Sequence, residues 1–575
     1  METTAKRSFD SNFEIINIYS DDFKHGTYRI TKPGYYRLKE NIIFEPNSKY
    51  NYFPRPGDEN YNSSAYVLGF FAAICIETDH VILDLNGKTL EYSMCFSLQQ
   101  RYGALIELAS APFPMGRGPA DFGSSVTSAS YCIIKNGKLG LSSHHGIHGN
   151  SCHHVIIRDM EIRDFEVGAI SFNNVHHITI ENVKIGPNRQ EIPVLSTYSH
   201  ARFLLHMTDS YISKYSQRLT PKEIRNIIQA KFQLEKAVND TFKQIIKTGQ
   251  TTNKLFRNET GLLDGAAFGI VIYTGGVASD DFQNDLKEKP YSSNIKIRNV
   301  SICDIKCNVR EVVAISQDDG KSAQFDAAGG VLHICEIMDK YGRYKGDTLS
   351  DLQITLAKPG FTHGIMNISK SICKWATSGK RLIDIAPHLK FKCNGDSMFH
   401  VLKGSVGLRI DGVENFNIEH CSIDSIVNIG YLGDDVHGGS YKISHDLQVR
   451  PYYHGADTYG MSIAQCRNGS IGETRIRNIV SYNGQCRGLC LLETCKNIDL
   501  YSLDIKNIFT GYLYRYHKRR WYGKDYRGKL VKYRHSGPNM YPKAIGLGIE
   551  NRCDNLQIDN IRIHGISGPN AQKIS

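Results

Sequence analysis

The sequence predicts an all-β solenoid built from stacked, parallel coils of three short strands. Three observations predict it. A ten-residue frame recurs eight times, directly successive copies lie 23 to 29 residues apart, and a short apolar strand opening with Gly precedes most of them. The frame is plainest in "HHVIIRDMEI" (His153–Ile162) and "HHITIENVKI" (His176–Ile185). It returns as "SYCIIKNGKL" from Ser130, "SNIKIRNVSI" from Ser293, "ENFNIEHCSI" from Glu414, "RNGSIGETRI" from Arg467, "KNIDLYSLDI" from Lys496 and "DNLQIDNIRI" from Asp554.

In most copies the third, fifth, eighth and tenth places are apolar. Period-two alternation puts each of these two pairs on one face of a short strand. The two strands meet at a corner. The seventh place occupies that corner and is Asn136, Asn182, Asn299, Asn560 or Asp159, residue types that tolerate left-handed backbone. The third strand opens at Gly146, Gly168, Gly269, Gly407, Gly460, Gly488 and Gly546. A unit of this size buries its apolar side only against its neighbours, so like strands stack in parallel around a filled interior.

Along the chain, residues 1–72 are expected to form a tail and a cap. "GTYRITKPGYYRLKENIIFEPN" (Gly26–Asn47) alternates into short strands around a Pro-Gly turn and would close the bottom of the stack. The solenoid is expected over 73–568, with "ICIETDHVILDLNGKTLEYS" from Ile74 as its first full ladder and 569–575 as a C-terminal tail. Three insertions interrupt it. In 187–268, Thr220 as N-cap, Pro221 at the first helical place, Ile224, Ile228, Phe232, Val238, Phe242 and Ile245 on one side, and Gly249 as the stop predict a helix lying on the flank. Residues 320–403 are mixed, without periodicity. Residues 509–543 are basic and aromatic.

Composition agrees with a folded solenoid. The 575 residues are 41% hydrophobic, with 51 Gly for turns and only 17 Pro. The start, "METTAKRSFDSNFE", has no apolar signal-peptide core, so synthesis in the cytosol is expected. The 15 Cys are then expected as reduced thiols, with Cys132, Cys421 and Cys490 lining the interior. Cys486, Cys490 and Cys495 match no zinc spacing and are expected to be core residues, so no metal site is assigned. "AYVLGFFAAICI" from Ala65 is too short to cross a bilayer.

The residues quoted resemble the right-handed parallel β-helix proteins of the pectin-lyase-like superfamily, over roughly 73–186 and 269–568. The resemblance implies fold. That superfamily includes polysaccharide lyases, glycoside hydrolases, epimerases, phage tailspikes and non-catalytic surface proteins, so it does not fix function. A homotrimer is implied by the tailspike analogy alone.

Two acidic motifs are the candidates for chemistry: "SQDDG" with Asp318 and Asp319, and "GDDVHGG" with Asp434, Asp435 and His437. Inverting hydrolases hold two carboxylates about 6.5–9.5 Å apart, one protonating the leaving oxygen and one activating water. Adjacent Asp residues in one strand point to opposite faces and do not meet this requirement. "SQDDG" is the nearest match to a polygalacturonase-like signature, but the Asn-Thr-Asp and Arg-Ile-Lys elements of those hydrolases have no counterpart, and "GDDVHGG" compresses into one loop what they carry on successive coils. No cofactor is expected, except calcium for a lyase. His153 and His176, stacked one coil apart, are expected as turn-forming surface residues rather than metal ligands, with the members of each His pair on opposite sides.

The binding candidate lies in the third insertion. From Tyr512 to Arg534 it holds nine Lys or Arg against Asp525 alone, a surplus of eight within a net charge of +11. Tyr512, Tyr514, Tyr516, Trp521, Tyr522, Tyr526 and Tyr533 interleave with them. Arg515, Arg519, Arg520, Trp521, Tyr522, Lys524, Tyr526 and Arg527 are therefore candidates to contact a glycan, another anionic polymer or a protein. Together these features favour a non-catalytic structural or attachment protein, such as a virion component. A polysaccharide hydrolase or lyase acting on uronate-type glycans is the alternative.

Overall fold

The computed structural model describes residues 14–46, 71–97, 103–110, 127–187, 268–274, 292–307, 405–428, 458–511 and 543–574 apart from single positions within them, some of 220–228, and a short ladder at 522–524 and 530–532. The described residues form a right-handed parallel β-helix with two main sheets. Sheet A has 15 strands and sheet B has 11. Strand–crossover–parallel strand units are right-handed as a rule, and here every crossover is one turn of the coil.

The frame builds sheet A. His153–Ile162 pairs in parallel with His176–Ile185, Val155 opposite Ile178 and Ile162 opposite Ile185, and His176–Ile185 pairs in turn with Ser292–Cys307. The glycine-opened strands build sheet B, where Ile147, Ile170, Ile270, Leu408, Met461, Leu489 and Leu547 stack in one column. All seven are buried. The two apolar pairs of the frame lie on two arms of sheet A that meet at a bend, in several coils one continuous strand.

Left-handed backbone makes the bend. All eight seventh places have positive φ, including His420, Glu473 and Ser502, which the residue types alone did not reveal. The carboxamides then bond coil to coil: Asn182 Nδ2 donates to Asp159 Oδ1 (3.1 Å) and Asn299 Nδ2 to Asn182 Oδ1 (2.6 Å). The second place of the frame is a further left-handed column, from Tyr131 (φ 54°) through His154, His177, Asn294, Asn415, Asn468 and Asn497 to Asn555 (φ 51°). A third precedes the frame at Ser151, Asn174, Gly412, Gln465, Thr494 and Arg552.

Space, not conformational freedom, selects glycine in sheet B. A Cβ on Gly407 would stand 2.5 Å from Gly460 O and 2.5 Å from Ile423 Cγ2, and Gly269, Gly460, Gly488 and Gly546 meet the next coil and an isoleucine in the same way. Gly469, at an apolar place of the frame, is explained by its neighbour: its Cβ would lie 2.1 Å from the Phe416 ring, which fills that volume instead.

Residues 15–44, expected as the cap that closes the bottom of the stack, pair with it in parallel: Ile15–Ile18 with Gly34–Leu38, and that strand with Val81–Asp84. Three expectations change. The end, expected as a tail, contains Asn570–Ile574, a parallel partner of Lys543–Ile549. Cys132 and Cys421 line the core, but Cys490 alternates to the outer side of sheet B, with Arg487 Nη1 3.4 Å from its Sγ, because Leu489 and Leu491 take the inward places. The ten cysteines whose side chains are described are free thiols. The predicted helix starts as expected, with Ile224 N–H donating to Thr220 O at 3.0 Å. Ile224 packs on the core, whereas Ile228 is 51% exposed. Phe232, Val238, Phe242, Ile245 and Gly249 lie outside the described residues.

Two substitutions test this account. Gly407→Ala is expected to cost about 1–3 kcal/mol by overpacking, read from urea unfolding. Asn182→Ala, which loses two ladder bonds and keeps a Cβ in left-handed backbone, is expected to cost about 2 kcal/mol, and Asn182→Gly clearly less; equal costs would refute the backbone argument.

Candidate functional site

The predicted site residues belong to connections that leave the coil at one corner, where sheet A ends and sheet B begins. Sheet A passes into sheet B through long connections that leave after Cys307, Asn428 and Gly511 and rejoin at Val406, Thr458 and Lys543. Asp318 and Asp319 belong to the first, Asp434, Asp435 and His437 to the second, and the basic aromatic residues to the third. The first two rejoin at paired strands, Val406–Asp411 and Thr458–Ala464. All five acidic-motif residues lie outside the described residues, as do Arg515, Arg519, Arg520, Trp521, Tyr526 and Arg527. Of Tyr522 and Lys524 the backbone is described: Tyr522–Lys524 pairs antiparallel with Leu530–Lys532, so part of the basic insertion is a two-stranded ribbon.

The outer face of sheet B, next to this corner, holds polar groups that sequence patterns did not single out. Side chains alternate, so with Ile147 facing the core, His148 faces out beside its register partners Glu107 and Ser171. His148 Nδ1 lies 2.9 and 2.7 Å from the two Glu107 oxygens. The Glu107 side chain is 1% exposed. Burial raises its carboxyl above the ordinary value, with His148 pulling the other way. A carboxyl buried here requires a hydrogen-bonding partner, and the imidazole provides it. The His145 ring stacks on His148 at 5.2 Å, and Asn173 Nδ2 donates to Asn150 Oδ1 at 2.7 Å.

Two or more coils further on, the same face carries two arginine–tyrosine pairs. Arg409 lies 5.5 Å over the Tyr273 ring and donates to Asp411 Oδ2 from Nε (2.8 Å) and Nη2 (2.5 Å). Burial works against its charge, but Asp411 and the Tyr273 phenol outweigh burial and hold the guanidinium charged. Arg487 lies 5.4 Å over the Tyr459 ring, donates to Gln485 Oε1 at 2.6 Å and pairs with Glu550 at 2.8 Å. Among the described residues, buried Asp411 Oδ1 and Ser462 Oγ have no hydrogen-bond partner. Such a face offers planar cations, aromatic rings and unused acceptors, the groups that recognise carboxylates and sugar rings. Their sequence separation hid them: Glu107 and His148 are 41 residues apart, and no motif links Tyr273 to Arg409.

Among the described residues, no group of three or more His, Cys, Asp or Glu is placed to hold a metal ion. None of their helices is long and apolar enough to cross a membrane.

No protein-family model matches the chain, and no curated protein does. Similar solved structures include an alginate lyase from Paenibacillus sp. (9% identity over 95% of this chain and 99% of that one, TM-score 0.25). A mannuronan C-5 epimerase A-module from Azotobacter vinelandii matches at 7% identity, 100% and 92% coverage and TM-score 0.25. Tailspike protein 3 of bacteriophage CBA120 matches at 8% identity, 97% and 54% coverage and TM-score 0.18. Likeness at this level carries nothing about the activity of this β-helix.

The buried imidazole gives a pH test. Burial, with the neighbouring His144 and His148, pushes His145 well below its ordinary 6.5. The unfolded chain takes up a proton as pH falls through about 6.5 and the folded chain does not, so this contribution to stability is complete above that pH and lost below it. Glu107, whose carboxyl is raised, acts in the opposite direction over its own range. The His145 share is therefore the difference between wild type and His145→Gln: the fall in Tm from pH 7.5 to 5.5 is expected to be shallower in the variant.

Proposed function

We propose that this chain is a glycan-contacting β-helix that holds an acidic polysaccharide along the corner where sheet A passes into sheet B, as a structural or attachment protein. One observation carries the proposal. The connection with the surplus of cations and rings rejoins sheet B at Lys543–Ile549, the register neighbour of the strand bearing Arg487, and so next to the arginine–tyrosine face. Guanidinium groups pair with uronate carboxylates, and tyrosine and tryptophan rings pack on sugar faces.

The second reading, a polysaccharide hydrolase or lyase, is favoured by the Glu107–His148 pair. A carboxyl raised by burial beside an imidazole is the arrangement that moves protons in general acid–base chemistry.

Binding of the full chain to polyuronates and to a neutral glucan, across a salt series, separates the readings. Salt-sensitive binding to polyuronate is expected, with removal of Tyr512–Arg534 weakening it about tenfold or more, the equivalent of at least ~1.4 kcal/mol. Absence of binding, or binding indifferent to that removal, would overturn the proposal. In parallel, new reducing ends and unsaturated products are followed. Turnover lost in Glu107→Gln, Asp318→Asn or Asp434→Asn would make the chain an enzyme.

A further inference from the structure

The left-handed column at the second place of the frame has a chemical consequence at the coil that begins with His153. Consecutive residues of a straight strand point to opposite sides. His154 is left-handed, with φ 55°, and this breaks the alternation. The two rings therefore reach the same side: His153 Nδ1 and His154 Nδ1 are 3.0 Å apart, with ring planes at 84°. His154 is held from both sides, stacked on Tyr131 at 4.6 Å and on His177 at 4.3 Å, while His153 packs edge-on against Tyr131 at 5.1 Å. His154 is exposed and His153 half-buried, so the approach from solvent is open.

We propose that His153 and His154 form a two-imidazole chelate for a divalent transition metal of the copper(II) or nickel(II) type, completed by water. Two nitrogens 3.0 Å apart, each bonded to a metal at about 2.0–2.1 Å, subtend an angle of about 91–97° at the ion. That angle suits neighbouring positions of square-planar or octahedral coordination, which imidazole-bound copper(II) and nickel(II) adopt, better than the tetrahedral angle of zinc. One Nδ1 carries the proton that the other accepts; when a metal takes its place, that proton passes through solvent to Nε2 of the same ring, so both imidazoles ligate as neutral groups and no net proton is released. The same dipeptide one coil on does not form this site. His176 Nδ1 is engaged with Ser293 Oγ at 2.9 Å instead of its neighbour.

The β-helix supplies its own controls. Ser293 and Asn294 occupy the equivalent places in another coil, with Asn294 also left-handed at φ 58°, so His153→Ser/His154→Asn writes a dipeptide that the corner already accepts. Copper(II) is titrated into the full chain by calorimetry, and the complex is inspected by electron paramagnetic resonance for nitrogen couplings. Wild type is expected to bind one equivalent more than the double variant, and His176→Ser/His177→Asn to keep that equivalent. His153→Ser alone, at a place where Ser130 and Ser293 stand in other copies, gives the same loss if the double variant folds poorly. Equal binding by wild type and His153→Ser, or loss confined to the His176/His177 variant, would overturn the assignment.

Discussion

Parallel register between coils is the constraint on which the rest of this structure depends. Each coil hydrogen-bonds to the coil before and after it at the same places, so every position of the frame stands directly over its own counterpart. A residue is therefore chosen by its column. Isoleucine stacks on isoleucine in the interior, carboxamide bonds to carboxamide at the bend, and glycine repeats in sheet B because the next coil's carbonyl and an isoleucine methyl already occupy the place of its Cβ. Where one coil departs, its neighbour compensates, as Phe416 does for Gly469.

The same constraint decides where variation is tolerated. Lengthening a strand would shift every later column, so additions are confined to connections, which are free to grow at small entropic cost. The longest stretches between consecutive described strands fall where sheet A gives way to sheet B.

The outer face of sheet B shows how register assembles chemistry that no local stretch contains. Glu107 and His148, and Tyr273, Arg409 and Asp411, come together because stacking converts separations of many residues into neighbouring rungs. Burial and its compensation give them their character: leaving water raises the Glu107 carboxyl, while Arg409 stays charged against its burial because Asp411 and the Tyr273 phenol stand beside it.

The sequence by itself determined the parallel solenoid, its inward columns and the left-handed corner at the seventh place, because a repeated pattern of apolar residues and Asn or Asp admits one stacking. It left the further left-handed columns unseen, since members such as His154 and Gln465 are not residue types that announce such backbone, and for the same reason it missed Glu473 at the seventh place. It also identified the basic aromatic insertion, whose composition is legible without coordinates. The tertiary structure alone decided that Cys490 faces outward, that residues 15–44 continue the stack, and which distant side chains share the face of sheet B. Those outcomes depend on which rung lies over which, a relation fixed by hydrogen bonds between coils and absent from any single stretch of chain.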